Sequence, residues 1–296
     1  MRQQISFQAL GSECLITLVA TKSMKSNFER LYDVVDGFEK RFSRFIETSE
    51  VSKVNLNVGK KQRVSAEFLS ILSVCRDFNA ITEGLFNPLI LPALQEAGYV
   101  GSFVNKKLNP NLDFSSRQTA ELKQVEVGDT WVKLPENAAL DFGGIGKGYL
   151  LDILARDASM YVDQGYWISL GGDIIAGGLD EGGQPFEIKV ANSIESSLPT
   201  KSIDVPGGEK LAVATSGVTK RKGITPKGSW HHLIDPRTGL PTSNGILSVT
   251  VTSEKAVNAD VLAKSILIGG EEEAVRYQEK GLIREYIIQS VDMESA

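Results

Sequence analysis

Residues 143–148 read GGIGKG and stand between the mostly apolar segment ALDF at 139–142 and an amphipathic stretch that begins at Tyr149. This order predicts a strand over 137–142, a tight turn, and a helix over 148–160. Glycines let backbone N–H groups approach a phosphate closely, and the N-terminus of the following helix favours negative charge. With Lys147 as a cation, the segment predicts a diphosphate site; a plain turn with a solvent-exposed lysine is the alternative.

Two standard phosphate motifs do not match this segment. A P-loop would have Ser or Thr where Gly148 stands, and the dinucleotide fingerprint would have glycine where Tyr149 stands.

A second glycine cluster, at 168–178, reads ISLGGDIIAGG and predicts a strand, a sharp turn and another strand. Its Asp173 is interpreted as a turn residue, with a ligand contact as the alternative.

Helical and strand patterns alternate along the rest of the chain. Apolar spacing predicts helices over 28–45 and 66–81, and another helix from about Asn258. Apolar runs between turn residues predict strands near 13–20, 130–135, 166–170, 186–191, 210–214 and 246–252. Because both kinds of pattern occur, the predicted fold class is α+β (mixed α/β). No internal repeat or long linker interrupts the chain, so a single large domain over 1–296 is predicted.

Charge and hydropathy limit the partners. The chain has 32 Lys and Arg against 37 Asp and Glu, a net charge of −5, so nucleic acid is not an expected partner. No run reaches the roughly 18 apolar residues that a membrane helix needs, and no membrane segment is predicted. The first residues carry no apolar export signal, so the chain as written is expected to be cytoplasmic, or extracytoplasmic if a leader has been trimmed. Cys14 and Cys75 lie in apolar surroundings and are predicted to be buried free thiols.

Both histidines of the chain occur in one segment, 230–241, which reads WHHLIDPRTGLP. Adjacent residues on a strand face opposite sides, so His231 and His232 are not expected to share a metal ion. One of them is predicted to accept a proton or to donate a hydrogen bond in a cleft, and a structural role is the alternative. Asp260 stands at the predicted start of a helix, where an ordinary N-cap is the alternative to a ligand role.

In this order, several segments resemble those of the ApbE-like flavin transferases, the FAD:protein FMN transferase family. The segments are ALGS at 9–12, FSRF at 42–45, SEVSKVN at 49–55, GLFNP at 84–88, DFGGIGKGYLLD at 141–152, SLGGDI at 169–174, ATSG at 214–217, HHLIDPRTG at 231–239, and Ala259-Asp260. The resemblance implies a mixed α/β fold around one FAD site. It also implies an enzyme that splits the FAD diphosphate, transfers FMN to a threonine or serine hydroxyl of a target protein, and releases AMP.

The resemblance assigns roles to individual residues. His232 would be the base that deprotonates the incoming hydroxyl, and Lys147 would act on the diphosphate. The positions that would contact FAD are Leu10, Phe45, Leu85, Phe86, Asn87, Asp141, Lys147 and Ile234. In two of them the chain departs from the family, with Asn87 for the usual aspartate and Phe45 for the usual tyrosine.

The resemblance also implies a magnesium ion on the diphosphate, held by the backbone carbonyl of Gly144 and by Asp260. The family's usual threonine four residues after Asp260 is replaced by Lys264, and Ala263 stands in place of a polar residue. An ammonium beside Asp260 repels a divalent cation, and it could itself offset the diphosphate charge. This departure motivates two alternatives to transfer: FAD binding without transferase activity, and FAD hydrolysis to FMN and AMP.

Overall fold

The structure is a computed structural model that describes residues 1–97, 99, 119–193, 199–219, 222–225 and 228–290, with only the backbone described at 222–225 and 228–230. The helices are α1 (Lys25–Phe42), α2 (Glu50–Leu56), α3 (Ala66–Ile81), α4 (Leu91–Glu96), α5 (Gly146–Ser159), α6 (Ala256–Gly269) and α7 (Glu271–Glu279). The strands up to residue 178 are β1 (Arg2–Ala9), β2 (Ser12–Val19), β3 (Gln62–Arg63), β4 (Glu126–Val127), β5 (Trp131–Lys133), β6 (Gly165–Leu170) and β7 (Asp173–Gly178). The later strands are β8 (Glu187–Ala191), β9 (Pro199–Asp204), β10 (Lys210–Gly217), β11 (Lys222–Thr225), β12 (Gly228–His231), β13 (Ile234–Asp235), β14 (Leu240–Pro241), β15 (Ile246–Ser253) and β16 (Glu285–Ser290).

One antiparallel sheet organises the described part of the chain. Its strand order is β1-β2-β6-β7-β10-β15-β16. Helix α5 packs on β6 and β7, and α6 packs on β10 and β15. The β8-β9 hairpin contributes to a second apolar cluster with residues of β7 and β10. The predicted class of mixed helix and sheet is therefore confirmed.

Strand β10 shows how the sequence assigns the two faces of the sheet. Successive side chains of a strand point to opposite faces. Ala212 and Ala214 belong to the main core, which also contains the α6 residues, whereas Leu211 and Val213 belong to the second cluster. The small alanines let α6 approach the sheet closely, and the larger residues fill the opposite side.

Most predicted elements are present, and one is wrong. Helix α3 covers 66–81 as predicted, and the helices predicted over 28–45 and 148–160 are α1 and α5, with bounds shifted by a few residues. The strand predicted over 137–142 does not exist. The Leu140 backbone instead exchanges two hydrogen bonds with the Asn55 side chain, at 2.8 and 2.7 Å, and the Asp141 N–H donates to the Pro88 carbonyl at 2.8 Å.

Helices α5 and α6 meet at Gly148, and each helix caps the other. A helix N-terminus leaves its first N–H groups without partners in the helix. The Asp152 carboxylate of α5 accepts hydrogen bonds from the N–H groups of Ala256 and Val257 at 2.8 and 3.0 Å. In return, Asp260 of α6 accepts from the Gly148 N–H at 2.9 Å. Burial raises the pKa of Asp152, and the two backbone hydrogen bonds oppose this shift.

The prediction for the cysteines is confirmed, since Cys14 and Cys75 are both free and buried. Burial raises the pKa of the Cys14 thiol to about 11 and also raises that of Cys75, so neither forms a thiolate readily near neutral pH. None of the helices described has the length and apolar character needed to cross a membrane.

Replacing Gly148 by alanine tests the contact between α5 and α6. A Cβ atom at Gly148 would lie 2.6 Å from the Ala256 carbonyl oxygen and 2.8 Å from the Val257 Cα, both in the backbone. We expect Gly148→Ala to lower the free energy of unfolding by about 1–3 kcal/mol in chemical denaturation. Gly37→Ala is the matched control, because Gly37 lies inside α1 with nothing within 4 Å of its Cβ position; it should raise stability by about 0.5–1 kcal/mol. If the two substitutions changed the free energy of unfolding equally, the close contact between α5 and α6 at Gly148 would be contradicted.

Candidate functional site

A pocket of about 380 Å³ collects residues from widely separated segments of the chain. Its lining includes the positions that the resemblance assigns to FAD contact, together with the glycine-rich turn, one histidine and one further lysine. These are Leu10, Phe45, Leu85, Phe86, Asn87, Asp141, Gly144, Lys147, His232, Ile234 and Lys264. Asp260 lies beneath the pocket wall, in contact with Lys264.

The glycine-rich turn is fixed at its start by Asp141. The Asp141 Oδ1 atom accepts a hydrogen bond from the Gly143 N–H at 2.8 Å and so caps a short 3-10 turn, Phe142–Gly144. Helix α5 begins two residues later, at Gly146. Its N-terminus and the backbone of Gly143 and Gly144 therefore border the pocket, as an anion site requires.

Lys147 is held by an aspartate that the sequence interpretation placed in a turn. Strands β6 and β7 join through Gly171 and Gly172, both with positive φ, as a two-residue hairpin turn requires. Asp173 follows as the first residue of β7 and is buried. Its Oδ2 atom forms an ion pair with the Lys147 ammonium, and its Oδ1 atom accepts from the Thr215 N–H at 3.2 Å. Asp173 thus links the second glycine cluster and the ATSG segment to Lys147.

Asp260 does not cap its own helix, contrary to the N-cap alternative. Helix α6 begins at Ala256, so Asp260 lies inside it, and α7 follows it in the chain. The Asp260 side chain is 2% exposed, with Oδ2 on the Gly148 N–H and Oδ1 in an ion pair with the Lys264 ammonium. The same ammonium donates to the Asp260 carbonyl oxygen at 3.1 Å.

The residues present do not fit a magnesium ion at Gly144 and Asp260. Both carboxylate oxygens of Asp260 are already engaged, one of them by a cation. Two unit charges 4 Å apart near a protein surface interact by about 4 kcal/mol, and a divalent ion beside Lys264 would meet that repulsion twice over. Among the residues that the structure describes, no three His, Cys, Asp or Glu side chains are grouped so as to hold a metal.

Arg44 is a pocket residue to which the sequence interpretation assigned no role, although it lies in the quoted FSRF segment. Its guanidinium is buried and forms an ion pair with Asp141, with Nε 3.3 Å from Oδ2. It also stacks on the rings of Phe45 and Tyr99, 4.2 and 4.9 Å from their centroids. Arg44 therefore connects the start of the glycine-rich turn to the aromatic side of the pocket.

The Asn87 side chain both donates and accepts hydrogen bonds, as an amide can. Its Nδ2 atom donates to the Thr119 hydroxyl and the Ala120 carbonyl at 3.0 and 2.9 Å, while its Oδ1 atom accepts from the Leu89 N–H at 3.0 Å. A carboxylate could not donate to the Ala120 carbonyl, and the Thr119 hydroxyl already donates to the Pro236 carbonyl at 2.9 Å. This departure from the family pattern is explained by the donors that the segment 119–120 requires.

The two histidines have separate surroundings. The His231 Nε2 atom lies 2.8 Å from the Thr242 carbonyl, and its Nδ1 atom accepts from the Leu233 N–H at 3.3 Å, so the proton is assigned to Nε2. His232 lines the pocket, with its ring centroid 6.3 Å from that of Tyr99. His231 thus serves the local backbone, and His232 is the histidine that a bound molecule can reach.

The His231 hydrogen bonds predict a pH dependence of stability. Burial lowers the pKa of His231, and the bond to Thr242 opposes this shift. A histidine whose folded-state pKa is depressed contributes stability above its unfolded pKa of about 6.5, and this contribution is lost as the pH falls below that value. We expect the melting temperature to drop between pH 7.5 and 5, and to drop less in His231→Gln. His232→Gln, which keeps His231, is the control; an identical pH profile for all three proteins would refute the assignment.

The chain was compared with known families and structures. A model described as the ApbE family matches residues 10–287. An FAD:protein FMN transferase of Vibrio cholerae is 25% identical over 276 residues, which cover 92% of this chain and 81% of the relative. Another, of Haemophilus influenzae, is 24% identical and covers 97% of this chain and 86% of its own length.

Solved structures have the same fold. The crystal structure of the ApbE protein of Thermotoga maritima aligns with a TM-score of 0.83 and 25% identity over 99% of this chain and 97% of its own. The flavinyl transferase ApbE of Pseudomonas stutzeri has a TM-score of 0.81 at 18% identity, over 99% and 95% of the two chains. Because the family model spans nearly the whole sheet and all the pocket segments, the chain belongs to the ApbE family.

Proposed function

We propose that this protein is an FAD:protein FMN transferase, which moves FMN from FAD to a hydroxyl of an acceptor protein and releases AMP. The observation that carries the proposal is the pocket, where a glycine-rich helix N-terminus, two lysines and a histidine meet apolar and aromatic walls. The helix N-terminus and the lysines would hold the diphosphate, the histidine would accept a proton, and the apolar and aromatic walls would bury the two ring systems.

The apolar walls fit the ring systems of FAD. Phe45 and Phe86 contribute aromatic surface, and Leu10, Leu85 and Ile234 contribute aliphatic surface. The volume of about 380 Å³ lies within the range of ligand pockets, roughly 300–1,000 Å³. These residues would bind the isoalloxazine and adenine rings by burial and stacking.

The polar end of the pocket fits the diphosphate. Backbone N–H groups near Gly143, the N-terminus of α5, and the Lys147 ammonium all favour an anion there. Phosphoryl transfer depends mainly on positioning and on charge stabilisation, and it needs little covalent help from the protein. Asp173 keeps Lys147 in place while leaving its side chain 25% exposed to a ligand.

His232 is assigned as the general base. An acceptor hydroxyl that enters the pocket would give its proton to His232, and its oxygen would attack the phosphorus of the FMN half. The bond from that phosphorus to the bridging oxygen breaks, and the bridging oxygen leaves with AMP. A threonine or serine is the acceptor in this proposal, since each offers a hydroxyl that a histidine can activate.

The proposal is tested by following the fate of FAD. The protein is incubated with FAD and a protein acceptor of the Vibrio cholerae relative, and the same acceptor with its modified hydroxyl residue replaced by alanine is the control. We expect the acceptor that keeps its hydroxyl residue to become fluorescent from covalently linked flavin, with one AMP released per flavin transferred. The alanine variant of the acceptor should gain no flavin. Free FMN with AMP would instead identify an FAD pyrophosphatase, and bound but intact FAD would identify a flavin-binding protein without transfer.

Substituting His232 separates catalysis from binding. We expect His232→Ala to reduce transfer by about 10²–10⁴-fold, because the hydroxyl loses its proton acceptor, while the Kd for FAD changes by only a few-fold. Flavin fluorescence quenching gives the Kd, and AMP release gives the rate. A large loss of FAD affinity in this variant would show that His232 shapes the pocket and is not the base.

A further inference from the structure

The Lys264 side chain lies where the family resemblance implies a magnesium ion. It lines the pocket, and its Cδ atom is 3.9 Å from the Cβ position of Gly144, whose carbonyl is the other implied metal ligand. Its ammonium contacts Asp260, the implied carboxylate ligand. The lysine side chain therefore lies beside both residues that would hold the ion.

The ammonium keeps a donor for a ligand. A lysine ammonium carries three N–H donors and no acceptor. The Asp260 carboxylate takes one donor, and the Asp260 carbonyl oxygen takes another at 3.1 Å. The Lys264 side chain is still 19% exposed, on the pocket side. With respect to the described residues, one N–H therefore remains to donate to a phosphate oxygen.

Lys147 is held by a buried aspartate in the same way as Lys264. Each lysine is paired with an aspartate that is at least 96% buried, Asp173 for Lys147 and Asp260 for Lys264. The Lys264 side chain approaches Gly144 from α6, and Lys147 follows Gly146 at the start of α5, so both lysine side chains lie beside the same glycine-rich turn. Two cations held by aspartates thus lie beside the turn, and the turn's own carboxylate, Asp141, is engaged by the Gly143 N–H and by Arg44.

We propose that Lys264 binds the diphosphate directly and takes the place of the divalent cation, so that this protein binds FAD without metal. The inference rests on the proposed function, because it takes the diphosphate of FAD as the ligand. It concerns this chain in particular, since it depends on a lysine where the family usually has threonine.

The first test measures FAD affinity by fluorescence quenching in EDTA and in excess Mg²⁺. We expect the Kd of the unmodified protein to agree within about twofold in the two buffers. The double variant Lys264→Met/Asp260→Asn leaves no buried charge unpaired and keeps an acceptor for the Gly148 N–H, so it should fold. We expect it to lose at least about tenfold in affinity in both buffers. A tenfold loss for the unmodified protein in EDTA, or full affinity of the double variant, would overturn the proposal.

The second test needs no FAD and uses Mn²⁺, followed by electron paramagnetic resonance, as a probe of metal binding. We expect no Mn²⁺ binding to Asp260 in the unmodified protein, and binding of one ion in Lys264→Thr that is lost in Lys264→Thr/Asp260→Asn. Binding of one ion by the unmodified protein that Asp260→Asn abolishes would overturn the proposal. If neither the unmodified protein nor any variant binds FAD in either buffer, the proposed function is wrong. The Mn²⁺ titration then still shows whether Lys264 excludes a metal ion from Asp260.

Discussion

The pocket depends on the exchange of caps between two helices. Asp152 of α5 satisfies the first N–H groups of α6, and Asp260 of α6 satisfies the Gly148 N–H in the first turn of α5. Both helix ends are buried, where an unsatisfied N–H group is costly. The exchange fixes the glycine-rich turn before α5 relative to Lys264, which follows Asp260 by one turn of α6. The glycine-rich end of the pocket is therefore positioned by helix packing and does not rest on a loop alone.

Local patterns predict much of this fold, and the failures have a common cause. The helix over 66–81 follows from apolar spacing and from the Ser65 cap, which are both local. Apolar character predicts a strand over 137–142, but the backbone there forms hydrogen bonds to Asn55 and Pro88, which are distant in sequence. Asp260 resembles an N-cap locally and caps a different helix. In both places the hydrogen bonds join residues distant in sequence, which a local pattern does not reveal.

The predicted site residues line one pocket, but the sequence does not predict the contacts that support them. Motifs that resemble a family name the residues that line the pocket, but they do not show what holds them. The two preceding glycines predict a turn role for Asp173, whereas the sheet brings its side chain to Lys147 and Thr215. Arg44 had no assigned role because its partners, Asp141 and Tyr99, lie far along the chain.

The paired aspartates also affect what binding costs in entropy. A free lysine side chain loses up to about 2 kcal/mol of rotamer freedom when it is fixed on a ligand. In this protein the buried carboxylates restrict Lys147 and Lys264 before any ligand arrives. Much of that ordering therefore occurs during folding, as part of the same event that packs the sheet and helices. A diphosphate would then meet donors already in position, and less of its interaction energy would be spent on arranging them.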